Sequence, residues 1–109
     1  MLIQVEIPYE TVEACILSAV GYCRYWANVN HAVARSHAPL SVREAYARGN
    51  STEKPGEWHA LTRRKIAKAI PLLARASPRQ FAALFTGHAD MITGDCLIQL
   101  VVLGEIRYG

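Results

Sequence analysis

The sequence predicts an α+β domain, in which a small antiparallel sheet packs with four to five helices around a central, apolar C-terminal helix. Three observations predict it. Ile3, Val5 and Ile7 alternate with Gln4 and Glu6, the period of a half-buried strand. Later segments carry apolar residues at helical spacing between recognisable caps. Finally, Ile92, Cys96, Leu97, Ile98, Leu100, Val101, Val102 and Leu103 leave almost no polar side, the pattern of a buried helix.

Taken in order, the first strand ends at Pro8. Val12, Cys15, Ile16 and Ala19 then mark a helix that stops near Gly21. Tyr22 to Val29 is rich in aromatic residues and reads as a second strand. NVNHAVARSHAPL reads as a connection, and Ser41-Val-Arg-Glu44 as a capping box opening a short helix to Arg48. GNSTEKPGE is a polar, turn-rich loop inside a single domain spanning 1–109. Thr62 caps a helix that buries Ile66, Ile70 and Leu73 and turns Arg64, Lys68 and Arg75 outward, with Pro71 expected to kink or split it. Ser77-Pro78 restarts a helix ending near Gly87. Asp90 or Thr93 caps the final helix, Gly104 breaks it, and Glu105 to Tyr108 is expected to form a closing strand.

Composition removes several classes of function. Hydrophobic residues make up 51% and charged residues 19% of the 109, too apolar a balance for a disordered chain. For so small a domain that balance also predicts a homo-oligomer, most simply a dimer, with the final helix as the expected contact. The longest uncharged run falls short of the roughly 20 residues that cross a bilayer, and the N-terminus lacks a basic leader, so a cytoplasmic protein is expected. Cys15, Cys23 and Cys96 sit apart in apolar context and read as reduced core thiols. His31, His37, His59 and His88 lack metal-ligand spacing, so neither metal nor cofactor is expected. No nucleophile elbow, phosphate loop or zinc-protease motif supports catalysis, and a non-enzymatic protein is expected.

Three groups of residues are candidates for binding. If Tyr22 to Val29 is a strand, Tyr22, Arg24, Trp26 and Asn28 share one face, joining aromatic surface to a guanidinium and an amide. That mixture suits a nucleotide-like ligand; equally, Trp26 packs under a helix while Arg24 pairs with Glu6 or Glu105. Asp95 and Gln99 lie four apart on the final helix, where they either line a pocket or contact, or form a solvent-facing stripe. The third group is basic: from Trp58 to His88 the chain holds Arg63, Arg64, Lys65, Lys68, Arg75 and Arg79 and no acid. Such a field attracts anions, nucleic acid among them, although aromatics are not interleaved with the bases and stand, as Trp58 and Phe81 do, toward its ends.

The stretch Asp90-Met-Ile-Thr-Gly-Asp95-Cys-Leu-Ile-Gln99-Leu-Val-Val-Leu-Gly104-Glu-Ile-Arg-Tyr-Gly109 resembles a family of small accessory proteins of tailed bacteriophages, in which threonine, a small residue and aspartate precede a glutamine and a final G-E-x-x-Y-G. Gly21-Tyr-Cys-Arg-Tyr-Trp26 adds to the likeness, while Leu103 replaces the family's usual phenylalanine and Cys23-Arg24 a small-polar pair. The resemblance implies phage origin, and by analogy an anti-defence role in the cytoplasm of an infected bacterium. The leading expectation is a non-catalytic accessory protein that sequesters a small anionic, nucleotide-like immune signal, bound by Tyr22, Arg24, Trp26, Asn28, Asp95 and Gln99. The alternatives are an inhibitor of a host defence protein and a nucleic-acid binder using Arg63 to Arg79.

Overall fold

The computed structural model describes residues 6–30, 39–46 and 55–109, and these form an α+β unit of three short antiparallel strands and four α-helices. Helix α1 (Tyr9–Tyr22) buries Val12, Cys15, Ile16 and Ala19, the four residues whose spacing predicts it. It runs through Gly21 into a 3-10 turn, Cys23–Tyr25, and then into strand β1 (Ala27–Asn30). Strand β2 (Ser41–Glu44) lies at the centre of the sheet between β1 and β3 (His59–Ala60). Helices α2 (Arg63–Ala76), α3 (Pro78–Thr86) and α4 (Met91–Leu103) complete the unit.

Local chemistry explains the helix ends. The Thr62 hydroxyl accepts the Lys65 amide, and the Ser77 hydroxyl accepts the Gln80 amide ahead of Pro78. Asp90 accepts the amides of Ile92 and Thr93, while the Thr93 hydroxyl accepts the Asp90 amide, a reciprocal box at the start of α4. Gly87 and Gly104 take left-handed conformations at the ends of α3 and α4. Pro71 does not split α2, which continues to Ala76; proline sits on an exposed side, where solvent can satisfy the carbonyl it orphans.

Three expectations are corrected. Ser41–Glu44 is a strand: Val42 and Glu44 are buried while Ser41 and Arg43 are less so, and the register Ala27↔Glu44, Asn28↔Arg43 makes backbone pairing outweigh the local cap. Tyr22 to Val29 is not one strand, because α1 extends through Tyr22 and the turn follows. Glu105 to Tyr108 is not a strand either; the Gln99 side chain takes the hydrogen bonds a neighbouring strand would have taken. Of the proposed N-terminal strand, Ile3 and Val5 lie outside the described residues, and Ile7 belongs to no strand. Residues 31–38 of the connection expected over NVNHAVARSHAPL and residues 49–54 of the loop expected over GNSTEKPGE also lie outside them, whereas Asn28, Val29 and Asn30, expected to open that connection, belong to β1.

Helix α4 is the centre of the core, with Thr93 to Leu100 all buried within the chain. Its apolar residues from Cys96 to Leu100 are spent inside the molecule, while Met91 and Ile92 at its start are exposed. It meets α1 through small residues. A methyl group on Gly94 would collide with the Cys15 carbonyl oxygen and stand 2.8 Å from Ala19 Cβ. Ala19 is itself fully buried, so neither helix can yield. Gly94→Ala is accordingly expected to destabilise the fold by about 3 kcal/mol, at the upper end of overpacking penalties, as a fall in the chemical denaturation midpoint.

Candidate functional site

Asp95 is charged, yet it sits on the most apolar helix and is 3% exposed. Burying a carboxylate is costly unless its oxygens are hydrogen-bonded, and here three donors supply those bonds. Trp26 Nε1 donates to Oδ1 at 2.7 Å; the Tyr25 hydroxyl and Gln99 Nε2 donate to Oδ2 at 2.7 and 3.0 Å. The 3-10 turn makes this possible. In a strand, consecutive side chains point to opposite faces, whereas the tight turn swings Tyr25 and Trp26 toward the same acceptor.

Gln99 carries the network onward. Its Oε1 accepts the amides of Arg107 and Tyr108 at 2.8 and 2.9 Å, and its Nε2 also donates to the Tyr108 carbonyl at 3.1 Å. The segment after α4 is thereby held back against the 3-10 turn. Tyr108 lies flat on Trp26, rings 5.6 Å apart and 11° from parallel, and donates its hydroxyl to Glu44. Arg107 pairs with the buried Glu44 carboxylate at 3.1 Å and with Glu105 at 2.9 Å. Among the described residues no buried polar side-chain atom is left without a hydrogen-bond partner.

The six residues singled out in the sequence separate accordingly. Trp26, Asp95 and Gln99 join one buried hub; Tyr22 and Arg24 are exposed on the turn side, and Asn28 is exposed on the sheet. Trp26 offers no open face to a ligand, since it is 3% exposed and covered by Tyr108. Tyr25, assigned to the opposite face by strand alternation, is the ring that takes its place. It is 52% exposed and meets Tyr22 edge-on with centroids 5.6 Å apart.

These two rings border a groove of about 410 Å3, lined further by Ser77, Gln80, Ile92 and Asp95. Among the described residues no lysine or arginine lines it. Gln80 accepts the Thr93 hydroxyl on its Oε1 at 2.6 Å, and its amide NH2 has no partner among the described residues. A second exposed grouping stands on the sheet. The Asn28↔Arg43 register sets those residues side by side, and the Arg43 guanidinium carbon lies 4.5 Å from the ring centre of Trp58. The capping-box reading of Ser41 to Glu44 puts Arg43 on a helix and so hides this face, for which the Ser-Val-Arg-Glu alternation is the sequence signal.

No group of three or more His, Cys, Asp or Glu able to hold a metal ion occurs among the described residues, and no helix there is long and apolar enough to cross a membrane. Cys15, Cys23 and Cys96 are buried and unpaired. Comparison with protein-family models, with curated proteins and with solved structures finds no match for this chain.

Two expectations follow from the hub. Asp95→Ala strands three donors, two of them buried, and should cost about 3–5 kcal/mol, measured as loss of denaturation free energy. Alkali should weaken the fold. Burial, and then the Asp95 charge, push the Cys23 thiol up to about 11 from an ordinary 9.0. Desolvation of the Tyr25 hydroxyl, and then its bond to Asp95, raise that group as well. Both stay protonated in the fold where the unfolded chain would ionise. The Cys23 contribution is complete below pH 9 and is lost as pH rises through about 11, and that of Tyr25 is lost at higher pH still, visible as a falling thermal midpoint that Cys23→Ala makes shallower.

Proposed function

We propose that the protein is a non-catalytic binding protein whose groove receives a small nucleotide-like ligand through its base. The observation that carries this reading is the concave meeting of the exposed Tyr22 and Tyr25 rings with the free amide of Gln80. Flat rings stack on a base, and a side-chain amide reads its polar edge. The volume suits a small molecule. With no basic residue in the lining and Asp95 at its floor, the groove grips the base, and the anionic part of the ligand stays at the open mouth. In the phage-infected cell that the sequence resemblance implies, such a protein would hold a nucleotide immune signal out of circulation.

A second reading is an inhibitor of a host defence protein. It is favoured by Met91 and Ile92, both exposed at the start of α4, Ile92 lining the same groove. Apolar side chains open in this way are typical of protein contacts.

Calorimetric titration with nucleosides and with linear and cyclic nucleotides tests the first reading. Nucleosides should bind about as well as their nucleotides, with little dependence on salt. Tyr22→Ala, outside the Asp95 network, should lower affinity about tenfold or more, the scale of one lost stacking contact. If none of these compounds binds the parent protein, the inhibitor reading replaces it.

A further inference from the structure

We propose that the solvent face of the sheet, Asn28, Arg43 and Trp58, is a platform for single-stranded nucleic acid, separate from the groove and argued independently of it. Strand pairing sets Asn28 beside Arg43 on the face opposite the buried Ala27 and Glu44. Arg43 Nε donates to Asn28 Oδ1 at 3.1 Å, which fixes the plane of the guanidinium over Trp58. The rest of the guanidinium fork has no partner among the described residues, and Arg43 forms no ion pair there.

An oriented guanidinium with unspent N–H groups is a phosphate ligand, and a tryptophan ring covered on one side still offers the other to a base. Trp58 is 45% exposed. Tyr46, 68% exposed just beyond β2, adds a further open ring. Two open rings beside one guanidinium suit a strand that makes repeated contacts better than one small molecule. The charge of the segment that follows Trp58 in sequence agrees with this occupant, with Glu57 the exposed acid just before it. Trp58 opens the acid-free run to His88, and α2, beginning at Arg63, exposes Arg64, Lys65 and Lys68. The sequence pointed to a strand carrying aromatic, guanidinium and amide groups; that chemistry is present with Trp58 and Arg43 in place of Trp26 and Arg24.

The chain holds two tryptophans, and one of them, Trp26, is buried, so a change in emission on adding a short oligothymidylate reports on Trp58. Quenching is expected. Anisotropy of the labelled strand should show affinity falling about tenfold or more for Trp58→Ala, with circular dichroism confirming the fold. Trp58→Phe, which keeps a stacking ring, should retain more affinity than alanine while abolishing the quench. Arg43→Gln should reduce the slope of log affinity against log salt by about 0.7, the loss of one phosphate contact to a single strand. Absence of quenching, equal affinity for a duplex of the same length, or equal affinity for thymidine monophosphate alone would each overturn the proposal. Nucleosides titrated into the parent protein test the groove and oligothymidylate emission tests the sheet, so failure of one reading is distinguishable from failure of the other.

Discussion

The buried carboxylate of Asp95 is the constraint on which the rest of the arrangement depends. A charge in a core must be met by donors, and the donors that meet it come from distant parts of the chain: Tyr25 and Trp26 from the turn after α1, and Gln99 from one helical turn further along α4. Because each donor serves a fixed acceptor, the turn, the central helix and the terminal segment have one mutual position. The apolar core supplies most of the driving force for folding but is indifferent to small rotations of α4. The Asp95 network removes that indifference.

The same network separates what holds the molecule together from what is left to meet other molecules. Trp26 and Tyr108 are paired face to face, and their polar atoms are spent on Asp95 and Glu44. Tyr22, Tyr25 and Trp58 keep open ring surface, each near a side-chain amide or guanidinium. The two proposed surfaces also differ in charge. The described lining of the groove has a carboxylate and no base, while the sheet face holds an oriented guanidinium.

Much of the helical part was legible in the sequence, because helices advertise themselves through caps and local periodicity. Thr62, Ser77, Asp90, Gly87 and Gly104 all mark the ends that those residue types imply. The burial of Asp95 and Gln99 was one of two open readings, and it is the one the fold adopts. The sheet was harder, since its strands are four residues or shorter and their pairing depends on partners elsewhere in the chain. Ser41 and Glu44 satisfy the capping-box pattern as written, and only the register with β1 overrides it. The 3-10 turn at Cys23–Tyr25 has no comparable sequence signal, and it decides which aromatic residue is buried and which is open.

The hub has a consequence for how the protein is made. Trp26 waits on an acceptor 69 residues further along, and Glu44 on a tyrosine 64 residues further along. During synthesis the first half of the chain therefore leaves the ribosome without the groups that will satisfy its buried polar atoms. Helices α1 and α2 can form as they emerge, but the hub closes only when Asp95, Gln99 and Tyr108 have followed them out. Such distant pairings form late and leave apolar surface exposed while they wait.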